Sequence, residues 1–340
     1  MFKPNQVIFE KGAREYPLGE ELYRRFVTDK GIEVTEVASN RVKSAIPGET
    51  LFEQYRNGKE TLVVGVKKSL TFQSCKPSAH YQLPIVSGCM GQCEYCYLNT
   101  QLGDKPFVRV HVNVDDILSQ AEKYMKERLP GITIFEGAAT SDPLPVEPYT
   151  HALAKCIRFF GEQEHARFRF VSKFTDVDTL LDLPHNNHTE IRFSLNTQTV
   201  IKQYEHYTAG ADARIEAAAK VIGAGYPSGF LIAPVFLYEN WKEEYRQMLE
   251  HLKKTLPTQR KHKITFEVIS HRYTLRAKDR INEIFPGNTL PMTEEERTFK
   301  YGQFGYGKYV YTKEELADMK QFFLALLNEL FPECEVKYVI

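Results

Sequence analysis

Apolar residues along this chain fall into short solid runs separated by stretches in which they recur every three or four positions. Solid runs suit strands buried on both faces, and the recurrent stretches suit helices with one apolar side. From about residue 80 onward the two alternate. Strands are predicted at 82–86, 132–135, 168–171, 191–195, 230–236 and 264–269, with amphipathic helices at 115–129, 148–160, 176–181, 212–224 and 239–256. Strand–helix alternation of this kind builds a parallel sheet with helices outside it, and six such units predict an open α/β partial barrel, (β/α)6. Residues 1–80 read as a small N-terminal α/β unit, with strands at 6–10, 32–37 and 60–66 and a helix at 18–26. Residues 81–280 form the barrel. Beyond them, 281–340 is a C-terminal extension: a Tyr/Gly/Lys-rich hairpin at 297–311, a helix at 313–330 and a last strand at 336–340.

The most specific chemistry lies just after the first barrel strand. Cys89, Cys93 and Cys96 are spaced C-x3-C-x2-C, with Gly88 and Gly91 giving the loop freedom to curl. A structural zinc site would close its tetrahedron with a fourth Cys or His at a recognisable spacing. Cys75 and His80 lie upstream at no such spacing. Three cysteines suit a [4Fe–4S] cluster whose fourth iron stays open. The spacing, Tyr95 just before the last cysteine and the preceding Pro-Ile-Val run resemble the radical S-adenosylmethionine (SAM) superfamily. That resemblance implies a SAM molecule on the open iron and a 5′-deoxyadenosyl radical that abstracts a hydrogen atom. It also places the loop on the barrel's C-terminal rim, where such folds build their sites.

Composition narrows the setting. The 340 residues are 42% hydrophobic and 26% charged, ordinary for a globular protein, and no apolar run is long enough to span a bilayer. The N-terminus has no signal-peptide core, and a cluster-binding trio must stay reduced. A cytoplasmic protein without membrane contact is expected. The formal net charge is zero, so any hold on a polyanion must come from a local patch.

Residues after the other strands should face SAM and substrate. Ser141 offers a hydroxyl or carbonyl to the amino end of SAM, and Lys173 a partner for its carboxylate. Ser194 and Asn196 are placed to reach the ribose, although Asn196 also suits a loop-capping role. Ala233, small and apolar, suits adenine. Arg272, with Tyr273 beside it, is placed to meet phosphate.

Taken together, the cluster loop with Tyr97-Leu98, the stretch from Phe135 to Ala138 ending in Thr140-Ser141-Asp142, Val171-Ser172-Lys173, and Ser270 to Thr274 resemble the spore photoproduct lyase family. The likeness runs from the N-terminal unit to the last strand. It implies repair of 5-thyminyl-5,6-dihydrothymine, the thymine photodimer of dormant spore DNA. In the family, the adenosyl radical takes a hydrogen from carbon 6 of the dihydrothymine half, the crosslink fragments, and the thymine radical recovers a hydrogen atom. One departure matters. The family pattern has a hydrogen-donating cysteine where this chain has Ala139, and alanine has no S–H. An engineered exchange is the leading explanation and natural variation the second. Hydrogen return is therefore expected to be impaired. The family's tyrosine relay falls on Tyr95 and Tyr97.

The resemblance also implies double-stranded DNA as partner, an electron donor whose identity the sequence does not give, and a spore core or germinating cell as setting. A dimer inside a duplex must leave the stack to enter a pocket. The predicted hairpin offers Lys300, Tyr301, Phe304 and Lys308, lysines for phosphates and aromatics to fill the vacated stack. A hairpin with its aromatics packed in a local core is the alternative. A radical-SAM enzyme of another substrate class, RNA or peptide, and a zinc-stabilised nucleic-acid-binding module are the competing functions.

Overall fold

The structure is a computed structural model and describes residues 2–76, 78–301 and 307–340. It comprises two units: Met1–Gln92 with Gln101–Glu190, and Cys93–Thr100 with Ile191–Ile340. The first unit holds two sheets. In one, the wholly buried strands Gln6–Glu10 and Thr61–Gly65 lie side by side, in parallel, with Glu33–Val37 and Val108–His111 outside them. Helix Leu51–Lys59 begins with a capping box, in which Thr50 and Glu53 satisfy each other's backbone N–H groups. It ends by delivering the buried Lys59 side chain.

The unit's other sheet pairs Ala79–Gln82, Thr133–Glu136 and Ala166–Ser172 in parallel. Phe160, from helix Ala152–Gly161, packs between Phe135 and Phe168 at ring separations of 5.2 and 5.3 Å. That packing fixes the helix on the sheet and aims the strand ends at one rim.

In the second unit, residues from Ile191 to Leu195 pair in parallel with Ser228–Val235, then Thr265–Ser270, then Glu335–Val339. Helices Trp241–Thr255 and Lys313–Leu330 pack through Trp241 and Tyr245 against Phe322 and Phe323, at 5.0 and 5.2 Å. Strands Thr298–Tyr301 and Gly307–Val310 form an antiparallel hairpin.

Several expectations need correction. No strand runs through 82–86. The first barrel strand ends at Gln82, where Pro84 leaves no N–H to continue the ladder, and Val86–Ser87 pairs antiparallel with Val108–His111 in the other sheet. The 148–160 helix is broken at His151, which is left-handed with φ 49°. At 176–181 only a single 3-10 turn forms, Asp178–Leu180. Strand Val108–His111 and helices Leu51–Lys59 and Gln198–Tyr204 were not expected, because their apolar patterns are short and interrupted.

Candidate active site

In the first unit the cysteine loop opens at Gly88, with φ 78°. A Cβ there would meet the Phe107 carbonyl at 2.2 Å, so only glycine fits. The Gly88 N–H donates to the Thr140 carbonyl at 3.0 Å, and Gly88 bridges Ser141 in parallel. The segment carrying half-buried Ala139 is thus joined to the start of the loop. Gly91 N–H points at the Cys89 sulfur at 3.3 Å. Beneath the turn, the Lys59 ammonium donates to the carbonyls of Cys89 and Gly91 at 2.9 and 2.8 Å.

The rim beside it is tied by Asp142. Its carboxylate accepts from the Ser172 hydroxyl at 2.9 Å, Lys173 N–H at 2.9 Å and Leu144 N–H at 3.2 Å. The ends of Thr133–Glu136 and Ala166–Ser172 are therefore locked together with Lys173 at the joint. Ser141 Oγ donates to the Gly137 carbonyl at 3.3 Å.

In the second unit, Asn99 gathers the carbonyls of Cys93 and Glu94 at 3.1 Å each, and Cys96 N–H returns to the Cys93 carbonyl at 3.2 Å. Cys93 is buried, Cys96 half-buried and Tyr97 half exposed. The Tyr95 hydroxyl donates a short hydrogen bond to Glu205. Glu205 in turn pairs with Arg214 at 2.6 Å, and neither side chain of that pair reaches solvent. Arg214 also donates to the carbonyls of Ser194 and Ala209 and to the Thr208 hydroxyl. Burial, and then the Glu205 charge, push the Tyr95 phenol well above its ordinary range.

Asn196 is fully buried. Its amide NH2 donates to the Pro234 carbonyl at 2.8 Å, and its oxygen accepts from the Tyr245 hydroxyl and Thr197 N–H. Ser194, two residues earlier, is buried, and Ala233 is half-buried on the neighbouring strand.

After Thr265–Ser270 the chain presents exposed Arg272 and buried Tyr273. Tyr273 exchanges backbone hydrogen bonds with Tyr309 at 3.1 and 2.7 Å, their rings stacked at 5.3 Å. His271 stacks between Phe236 and Tyr273, and burial, then Arg297, push its pKa down to about 3. In the hairpin, Lys300 lies directly opposite Lys308. Burial, then the charges of Arg272 and Lys300, hold the Lys308 ammonium below its ordinary range. Tyr301 is 80% exposed. Phe304 lies outside the described residues.

The donor set fits an iron–sulfur cluster. It comprises three soft thiols on one continuous loop, with an N–H donor aimed at the first sulfur. Among the described residues, no three His, Cys, Asp or Glu side chains are gathered as around a single ion. Lys59 and the Glu205–Arg214 pair read in the sequence as ordinary solvated charges, and Asp142 appears there only as the end of the Thr140-Ser141-Asp142 motif, with no role of its own.

A parallel α/β partial barrel with a three-cysteine loop after its first strand defines a radical-SAM enzyme. The comparisons with known proteins give the particular one. The family model for spore photoproduct lyase matches residues 2–340. Spore photoproduct lyase from Clostridium acetobutylicum is 52% identical, covering 98% of each chain, and that from Bacillus subtilis is 47% identical, covering 99% of this chain and 98% of its own. A solved structure of a spore photoproduct lyase double mutant with bound AdoMet and dinucleoside spore photoproduct superposes with a TM-score of 0.96 at 46% identity, covering 100% of this chain and 99% of that one. The chain belongs to the spore photoproduct lyase family, radical-SAM lyases that use a [4Fe–4S] cluster and SAM to repair the spore photoproduct.

Proposed function

We propose that this chain reverses the spore photoproduct in double-stranded DNA, and that Ala139 impairs the return of the last hydrogen atom. The observation that carries the reading is the Gly88–Thr140 hydrogen bond, which anchors the segment containing position 139 to the loop presenting Cys89. Cys89, Cys93 and Cys96 hold the cluster. With SAM bound, the cluster would supply an adenosyl radical for abstracting a hydrogen atom from the dihydrothymine half. Lys173, set at the Asp142 joint, pairs with the SAM carboxylate, and Ser141 meets its amino end. Ser194 serves the ribose and Ala233 the adenine. Asn196 has its amide engaged on three sides, so it acts by holding its loop in place.

Position 139 decides how the reaction ends. The thymine radical left after fragmentation needs a hydrogen atom, and an alanine side chain has none that is weakly bound. Half-exposed Tyr97 is the outer member of the tyrosine relay, and Tyr95, its O–H directed at Glu205, the inner one. Duplex DNA is held by Arg272, Lys300 and Lys308. Two lysines directly opposite each other repel, and a phosphate between them converts that repulsion into binding. Exposed Tyr301, with Phe304, fills the space the extruded bases leave. Tyr273, being buried, supports Tyr309 from behind. An external one-electron donor drives the cycle, in the spore core or the germinating cell.

The test is repair of a dimer-containing oligonucleotide with SAM and dithionite, comparing the chain with Ala139→Cys. SAM cleavage is expected in both. Intact thymine should fall several-fold in the Ala139 protein, with reductant adducts on the thymine methyl carbon, and cysteine should restore clean thymine. Equal thymine yields with no adduct in either protein would remove position 139 from the mechanism.

A further inference from the structure

Lys59 is 1% exposed, and its ammonium meets two carbonyl oxygens, those of Cys89 and Gly91. The Tyr55 ring also lies close, with the nitrogen 5.4 Å from the ring centroid. Among the described residues, no carboxylate lies within ion-pair distance of it. A buried ammonium is costly unless an anion balances it. The turn whose carbonyls it grips carries Cys89, one of the proposed cluster ligands, so a cluster bound there would bring negative charge to it. An iron–sulfur cluster held by three thiolates is net negative, and more so once reduced.

The geometry is also specific. Both carbonyls belong to the turn Cys89-Met90-Gly91, and gripping them holds the Gly91 N–H toward the Cys89 sulfur. Hydrogen bonds to cluster sulfurs and nearby positive charge both favour the reduced form. We propose that Lys59 is a positioning residue for the cluster: its ammonium orders the first ligand turn, and its charge raises the cluster's reduction potential. This rests on the reading of Cys89, Cys93 and Cys96 as cluster ligands.

Two variants of the full chain separate hydrogen bonding from charge. Lys59→Met removes both, while Lys59→Gln keeps an NH2 donor and removes only the charge. In cluster-free protein, hydrogen–deuterium exchange over 88–92 should accelerate by about tenfold or more in Lys59→Met, the equilibrium cost of one lost bond to a charged donor. After anaerobic reconstitution, a redox titration followed by electron paramagnetic resonance should give a more negative potential for both variants than for the parent. Far-UV circular dichroism and melting establish that each variant is folded. If Lys59→Met does not fold, the potential of Lys59→Gln decides. Parent-like exchange in folded Lys59→Met, or a parent-like potential in Lys59→Gln, overturns the proposal. A parent chain that takes up no iron would instead sink the cluster reading, and the exchange experiment would still decide the ordering role.

Discussion

At the scale of single residues, buried charge governs what this protein tolerates. Glu205 and Arg214 form a solvent-free pair that also receives the Tyr95 hydroxyl. Glu205→Gln strands the Arg214 charge, so a loss of about 3–5 kcal/mol is expected in denaturant unfolding. Tyr95 should also lose its orientation. His271 titrates in a different sense. Its folded pKa of about 3 lies below the ordinary 6.5, so the unfolded chain binds the proton first. The stability that neutral His271 contributes is complete above pH 6.5 and is lost as pH falls toward 3. His111, also held at about 3, acts in the same direction, whereas Glu147, raised to about 7, loses its contribution as pH rises through that value. His271→Phe keeps the stacking on Phe236 and Tyr273. Its melting temperature should therefore fall less steeply between pH 6.5 and 4 than the parent's, by the equivalent of about one proton. Parallel curves would show that His271 does not titrate on unfolding.

At the scale of elements, the DNA role proposed for the hairpin sets function against stability. Lys300 and Lys308 face each other across the strands, a like-charge pairing that destabilises the strand pair. Gly307 is required for its own reason, since a Cβ there would run into the Phe299 ring at 2.1 Å. Lys300→Thr should therefore slow exchange of the hairpin amides while weakening lesion-DNA binding. Opposite signs are the signature of a strained cationic clamp. If binding is unchanged, the two lysines belong to the fold alone. The loop held by Asp142 behaves differently, because its hydrogen bonds support position and stability together.

At the scale of the whole molecule, the net charge of zero means that the proposed DNA affinity rests on a few residues. With Arg272, Lys300 and Lys308 on phosphates, the logarithmic salt slope should be about 3 or less, each cation removed lowering it by roughly 0.9. The cluster imposes a stricter dependence. With Cys89, Cys93 and Cys96 as the proposed ligands there is no spare, so Cys89→Ala, Cys93→Ala or Cys96→Ala should each abolish reductive SAM cleavage and lower iron content in parallel. Cleavage retained in a Cys93→Ala protein of proven low iron content would remove that residue from the cluster. No helix among the described residues is long and apolar enough to cross a membrane.

Much of this was legible in the sequence, because some signals are local. The C-x3-C-x2-C spacing needs only a loop, and the helix at 313–330 coincides with Lys313–Leu330 because its Thr312–Glu315 capping box and apolar face are encoded within one segment. Strand 6–10 likewise coincides with Gln6–Glu10, an unbroken buried run. What tertiary structure alone decided depends on pairings between distant segments. Val86 looks like the end of a barrel strand but joins another sheet, since register is chosen by partners far along the chain. Asn196 looks like a ligand contact until Pro234 and Tyr245 arrive to occupy its amide. Lys59, at the end of an amphipathic helix, has the sequence context of a solvated lysine. Only folding carries it under a loop thirty residues away, where burial turns an ordinary charge into one that must be answered.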